Sequence, residues 1–528
     1  MFLPEQMQAF TRYPAPSAPV QKLLSDPYLS LTKKSGHMKK IRIIYIAILA
    51  IVWVACSKLD EQPESVITAN NFYQNEAEAT AAVTAAYRKL YETGQSLYNS
   101  LLQIGMEMAT DDYEAGPRAR NAHVRALSGL THDASNDRME QLWKQSYDAI
   151  NVSNIAIDQI ALIKKESISE TVRTRLINEA KFLRALHYFN LVRWFGPVPL
   201  VVHAPAALSP DALYVEKAPE ATIYKQIIQD LQDAEHLPAP AEYGAADIGR
   251  ASAGSAKSLL AKVYLTKKDW QLAADKSKEL IDLHWYGLFE NFSDVFNVAK
   301  KNGKEHIFSA QFQGNSAYQG NSLASRSAPN EVPGINGDYA DALHKQGGLY
   351  ESFGEGDARK SVTFITQMSS PTDGKLYTFE PHLNKYYDPA VVGSQGESSK
   401  NLPIIRYAEV LLIYAEALNE VNQGPSAAAY DAIDAVRQRS GVPRLQDVAP
   451  GLSVANFRDS VFQERRKEFV YEYQRWFDLV RRGPDYYVKV LKAAGKTLAA
   501  PRHIHFPTPQ RELNLNPKLK QDPLWVNY

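Results

Sequence analysis

Few residues in this chain have types and spacings suited to bond chemistry. Glu107, Asp111 and Asp112 lie close together in sequence, as a paired acid and base would. Such a pair cleaves a glycosidic bond when the fold holds the carboxyls about 5–10 Å apart. Spacing alone fixes no such distance, and solvated acids on a helix end or loop are the plainer reading. His503-Ile-His505 would place two imidazoles on one face of a strand. Without neighbouring carboxylates or thiolates, a surface strand with two histidines accounts for them better than a metal site. Gly-x-Ser-x-Gly, phosphate-loop and dinucleotide-glycine patterns are lacking. The expectation is therefore no catalytic residue, no metal and no cofactor.

Binding demands less than catalysis. A neutral oligosaccharide is held by flat aromatic faces against its C–H surfaces and by polar side chains at its hydroxyls. The chain has 29 tyrosines, most of them on helical stretches where they would pack a core. Aromatics in loops are the better candidates: Tyr113 beside Asp112, then Trp285, Tyr318, Tyr339 and Tyr350. The 59 basic and 59 acidic residues balance, which gives no electrostatic footprint for nucleic acid and is neutral towards uncharged ligands.

The single cysteine, Cys56, allows no internal disulfide, and it ends the long uncharged run Ile43–Ala55. That run would make roughly 20 Å of helix at ~1.5 Å per residue. It is short for a membrane span but matches the apolar part of a signal peptide. The basic start Met38-Lys39-Lys40-Ile41-Arg42 and the small residues around Cys56 resemble a bacterial lipoprotein signal, with Trp53 at a place usually aliphatic. On this reading residues 1–37 are a non-native or misassigned extension and 38–55 the signal peptide. Cys56 carries the lipid and 56–70 form a tether. Each buried lipid methylene adds about 0.8 kcal/mol, so two or three acyl chains hold a protein on a membrane face.

The elements that must position any site are mostly helices. Periodicity predicts them over 71–91, 137–163, 172–195, 219–236, 252–267, 270–283, 406–421, 427–440 and 453–482. The stretch from Phe182 to Phe195 is apolar on nearly every side, which marks an interior helix, and Gly196-Pro197 stops it. Tyr264 and Ala273 have tetratricopeptide-like spacing across the turn Lys267-Lys-Asp269. In 406–421, Tyr407, Val410, Leu411, Tyr414 and Leu418 share a face, with Glu409, Glu416 and Glu420 opposite. Along 453–482, Glu472 with Arg475 and Asp478 with Arg481 are spaced to pair. Arg465 falls near the apolar stripe and needs a carboxylate such as Glu464, Glu468 or Glu416. Between Trp285 and Asn401 the composition turns to Gly, Ser, Asn and Pro, and 315–345 and 369–400 read as long loops. The fold class is mainly α: a tetratricopeptide-like helical-repeat scaffold with a long irregular, loop-rich insertion. An N-terminal helical region, 71–284, precedes a C-terminal region, 285–528.

Three segments together carry a family resemblance: Glu179-Ala-Lys-Phe-Leu-Arg-Ala-Leu-His-Tyr-Phe-Asn-Leu-Val-Arg-Trp-Phe-Gly-Pro-Val-Pro-Leu200, Pro403–Asn419 with Val436–Pro443, and Glu464–Gly483. A closing segment, Pro507–Pro517, agrees with them. In this order the set resembles the SusD/RagB family of outer-membrane nutrient-binding lipoproteins of Bacteroidetes. The chain departs from the family at Gln521-Asp-Pro-Leu-Trp525 and at Tyr473, where glycine is common. Tyr286 opens a segment, Tyr286–Phe292, that resembles a structural motif of the family and is set aside as a ligand contact. The resemblance implies a cell-surface lipoprotein that binds an oligosaccharide and delivers it to a SusC-like TonB-dependent transporter. The helical repeats would face the transporter, and the irregular region would carry the ligand. A peptide cargo is the close alternative. A lipid-anchored glycoside hydrolase using Glu107 with Asp111 or Asp112 is the rival from another class.

Overall fold

Short polar residues fix where the first long helices begin. In the computed structural model, Asn75 caps α1 (Glu76–Arg88) by accepting from the Glu78 amide. Asn136 does the same for α2 (Asp137–Leu162) through Arg138, and Ser169 for α3 (Glu170–Phe195) through Val172. The structure describes Phe72 to Tyr528 apart from residues 93–94, 117–118, 206, 208, 315–318, 324–327, 336–347 and 392–397. Everything described belongs to one unit, 68–528. The Ile43–Ala55 run, Cys56 and the tether lie outside the described residues. Among those described, no helix is long and apolar enough to cross a membrane.

The end of α3 follows from its sequence. From Phe182 to Phe195 it is buried on every side, and Gly196 at φ 66° closes it with its N–H on the Val192 carbonyl. Beyond it come α4 (Glu220–Ala234), α5 (Ala253–Lys267), α6 (Trp270–Asp282), α7 (Tyr407–Val421), α8 (Ala427–Arg439), α9 (Val454–Glu468) and α10 (Arg475–Arg481). From α2 to α8 each helix packs on the next, and α9 also lies on α7. The array is thus continuous although residues 283–406 leave it between α6 and α7. This is the expected tetratricopeptide-like scaffold. Lys268, at φ 64°, makes the left-handed turn between α5 and α6, and the small residues Ala273 and Ala274 are fully buried.

The excursion is more ordered than its composition suggests. β1 (His306–Ala310) pairs antiparallel with β4 (Leu402–Arg406), and β2 (Phe364–Ser369) with β3 (Leu376–Leu383). The stretch 369–400, expected as loop, therefore holds a hairpin strand. Its signal was the turn Pro371-Thr-Asp-Gly374, with Gly374 at φ 70°, followed by residues that alternate in exposure. One apolar core runs through both expected regions, from Leu101 and Phe182 to Ile404 and Trp476.

The helix expected over 453–482 is two helices. It breaks after Glu468, where Tyr471 and Tyr473 adopt φ of 61° and 60°, and resumes at Arg475. The left-handed pair turns the chain so that Glu468 and Glu472 both reach Arg406. Glu472 consequently does not pair with Arg475, whereas Asp478 and Arg481 lie on one continuous turn and meet at 3.0 Å.

Candidate ligand-binding surface

The acids singled out as a paired-carboxylate site lie in the interior. Glu107, Asp111, Asp112 and Tyr113 are 1–3% exposed, so they are neither solvated acids nor a loop aromatic facing ligand. Asp111 takes a bidentate grip from Arg475, Nε at 2.9 Å and Nη2 at 2.7 Å. Asp112 accepts from Arg466 Nε at 2.8 Å. Burial opposes ionisation of Asp111, but the guanidinium groups of Arg475 and Arg466 win and hold its carboxyl down at about 2. Glu107 gains too little from Arg475: burial, reinforced by the charge of Asp112, pushes it well above the usual carboxylate range. Tyr113 stacks on Tyr471 with ring centres 5.9 Å apart. These residues lock the segment after α1 onto the C-terminal helices, and none of the three carboxyls faces solvent.

The arginines of the motif segments do the same work. Arg406 reaches Glu305 at 2.6 Å, Glu468 at 2.9 Å and Glu472 at 2.7 Å, while Arg359 and Arg439 also converge on Glu468. Arg465 is served by Asp478 at 2.8 Å and Glu409 at 3.1 Å, not by Glu464, Glu468 or Glu416. Glu409 and Glu416, expected on the face of α7 opposite the apolar one, are each 1% exposed and paired, Glu416 with Arg481.

His503 and His505 do not form a surface strand. His503 sits in a single helical turn, Pro501–Ile504, buried against His132 and Trp525 at ring distances of 5.2 and 5.5 Å. The chain bends there because Pro501 fixes the start of the turn. Burial and the neighbouring His132 ring lower His503 to about 3, so it stays neutral.

Among the aromatic candidates, Tyr318 and Tyr339 lie outside the described residues. Tyr350 and Trp285 are half-buried and open onto two different hollows. Tyr350 borders one of about 510 Å³ with Lys360, whose ammonium stands 4.1 Å above its ring. Trp285 borders one of about 290 Å³ with Tyr243, Tyr286, Arg250, His306 and Ser309. Tyr286 OH bonds Ser252 Oγ at 3.1 Å, and a Cβ on Gly254 would stand 2.3 Å from that hydroxyl, so glycine is required beneath it. A third hollow, of about 460 Å³, gathers Trp143, Tyr147 and Tyr214 with the exposed Leu213 and Leu515. Its aromatics come from α2, where helical spacing reads as core, and from the 214 region, outside every expected helix. Tyr243 escaped notice because it stands as the lone aromatic in a stretch of Pro, Ala and Gly.

Comparison with known proteins agrees with this architecture. Residues 366–525 match the model of the SusD family, and residues 59–265 match a family described as starch-binding, associating with the outer membrane. The SusD-like protein P2 of Formosa agariphila is 30% identical over 482 residues, 84% of this chain and 91% of its own length. A laminarin-binding SusD-like protein of known structure is 27% identical, with a TM-score of 0.72 over 85% of this chain and 100% of its own. A SusD-like carbohydrate-binding protein from Bacteroides fragilis is 25% identical, with a TM-score of 0.71 over 85% of this chain and 100% of its own.

Proposed function

The chain belongs to the SusD family, and from that premise we propose that it is a cell-surface lipoprotein that captures an oligosaccharide and hands it to a SusC-like TonB-dependent transporter. Cys56 carries the lipid, and the residues after it tether the 68–528 unit to the outer membrane. The observation that carries the reading is the likeness, over 85% of the chain, to a protein that binds laminarin. Half-buried aromatics at surface hollows, Trp285, Tyr350 and Tyr214, supply the flat faces that sugar rings stack on. The activity is reversible binding rather than cleavage, since Asp111 and Asp112 are committed to Arg475 and Arg466.

Calorimetric titration tests this with the soluble chain from Ser57, which keeps the whole described unit. The titrants are laminari-, malto-, xylo- and manno-oligosaccharides and a set of short peptides, with product analysis on the same samples. Saturable binding of one glycan class without new products is expected. Cleavage products would overturn the capture reading, and binding of peptides alone would overturn the sugar.

A further inference from the structure

The hollow at Trp285 has polar groups built into its wall that the fold itself does not use. His306 and Ser309 both line it, at 8% and 3% exposure. His306 Nε2 lies 2.8 Å from the Val295 carbonyl, which can only accept, so the proton sits on Nε2 and Nδ1 is a bare acceptor. Burial lowers the affinity of this ring for a second proton, which keeps Nδ1 in that state. Neither His306 Nδ1 nor Ser309 Oγ has a hydrogen-bond partner among the described residues. Buried polar atoms left so are costly, and since both residues line one hollow, a partner from outside would relieve that cost.

The rest of the wall tells what kind of partner fits. Trp285 and Tyr243 are half-buried and offer aromatic surface. Two residues with fixed charges line it: Arg250, which Glu179 and Asp247 each hold at 2.8 Å, and the exposed Lys304. The Asn302 side chain is spent on a reciprocal amide pair with Gln311 at 2.9 Å. What remains among the buried and half-buried groups is aromatic surface, one bare acceptor and one hydroxyl able both to give and to accept, with Arg250 neutralised and Lys304 exposed to solvent. That set suits a neutral polyol ring: C–H faces against the aromatics and hydroxyl hydrogens towards Nδ1 and Oγ. The volume of about 290 Å³ is at the small end of ligand sites, one or two sugar units rather than a long chain.

We propose that the hollow bordered by Trp285, Tyr243, His306 and Ser309 is a carbohydrate subsite that accepts a terminal sugar unit of the captured glycan. This rests on the capture reading and narrows it to a place.

The test is the same oligosaccharide panel, applied to the soluble chain from Ser57 and to Trp285→Ala, Tyr243→Ala and Ser309→Ala, each checked for an unchanged melt. The glycan bound by the parent should bind Trp285→Ala at least tenfold more weakly and Ser309→Ala about threefold more weakly. Leu162→Ala, exposed at the end of α2 and bordering none of the hollows described, should stay within twofold. Ser309→Ala removes only one oxygen, so it reports even if Trp285→Ala fails to fold. Parent binding with all hollow variants within twofold overturns the subsite and leaves capture standing. A parent that binds none of the glycans, or only peptides, overturns both.

Discussion

Arg406 and Glu468 meet at 2.9 Å in a place where neither side chain is more than 1% exposed. Arg406 ends β4 and Glu468 ends α9, so this contact joins the strand that leads back into the helical array to the helix that closes it. Removing one partner strands a buried charge, which costs about 3–5 kcal/mol. Glu468→Ala should lose stability of that order in urea unfolding at pH 7. Glu420→Ala, which frees the 30%-exposed Arg458, should lose under about 1 kcal/mol. Equal losses would mean that the interior network is solvated.

Glu107 and Asp111 should respond oppositely to neutral isosteres. Burial favours the protonated form of Glu107, so Glu107→Gln, a neutral amide in place of that acid, should change stability by less than about 1 kcal/mol at pH 7. Asp111→Asn leaves Arg475 without its bidentate anion and should cost about 3–5 kcal/mol. Atoms Glu107 Oε1, Tyr113 OH, Arg465 Nη1 and Arg475 Nη1 lack partners among the described residues, and their residues border a cavity of about 10 Å³. That is the size of one water. High-resolution diffraction should show a single ordered water there, and Glu107→Gln should keep it.

Acid should weaken the fold before the carboxylates titrate. Burial lowers His187 to about 3 and His132 to about 4, against an ordinary value of 6.5. Between those limits the unfolded chain binds protons that the folded chain refuses. The share of stability carried by these histidines is therefore full above pH 6.5 and falls as pH drops towards 4, at about 1.4 kcal/mol per unit for each. Both ring nitrogens of His187 lack a partner among the described residues. His187→Leu should flatten the slope of stability between pH 6.5 and 5 by one histidine's share, read from urea midpoints. An unchanged slope would place the proton uptake elsewhere.

Helix positions were legible because each depends on residues within a few turns: Gly196 announces the end of α3 locally, whereas the caps Asn75 and Ser169 set starts a few residues from those that periodicity alone gives. The partners of the buried acids were not, since Asp112 and Asp111 meet Arg466 and Arg475 at sequence separations of 354 and 364. Glu409 and Glu416 looked solvated because a helical wheel shows one buried face, whereas α7 packs against α5, α6, α8 and α9 together. The Trp285 hollow was half legible. Trp285 itself stood out in a loop, but Tyr243 precedes α5 and His306 and Ser309 lie on β1, and no spacing rule connects them.

Tyr473 gives the backbone a sharper test than any contact does. Its φ of 60° lies where a side chain costs about 1–2 kcal/mol and glycine costs nothing. The tyrosine is kept by its packing: it is 3% exposed and its ring lies 5.9 Å from that of Tyr471. Both Tyr473→Ala and Tyr473→Gly should therefore lose stability, of order 3–5 kcal/mol for the alanine. The usual order of the two replacements should reverse, with glycine about 1 kcal/mol more stable than alanine. Urea unfolding of the pair reads this directly. An alanine variant equal to or better than glycine would mean that the break between α9 and α10 is not held in the left-handed region.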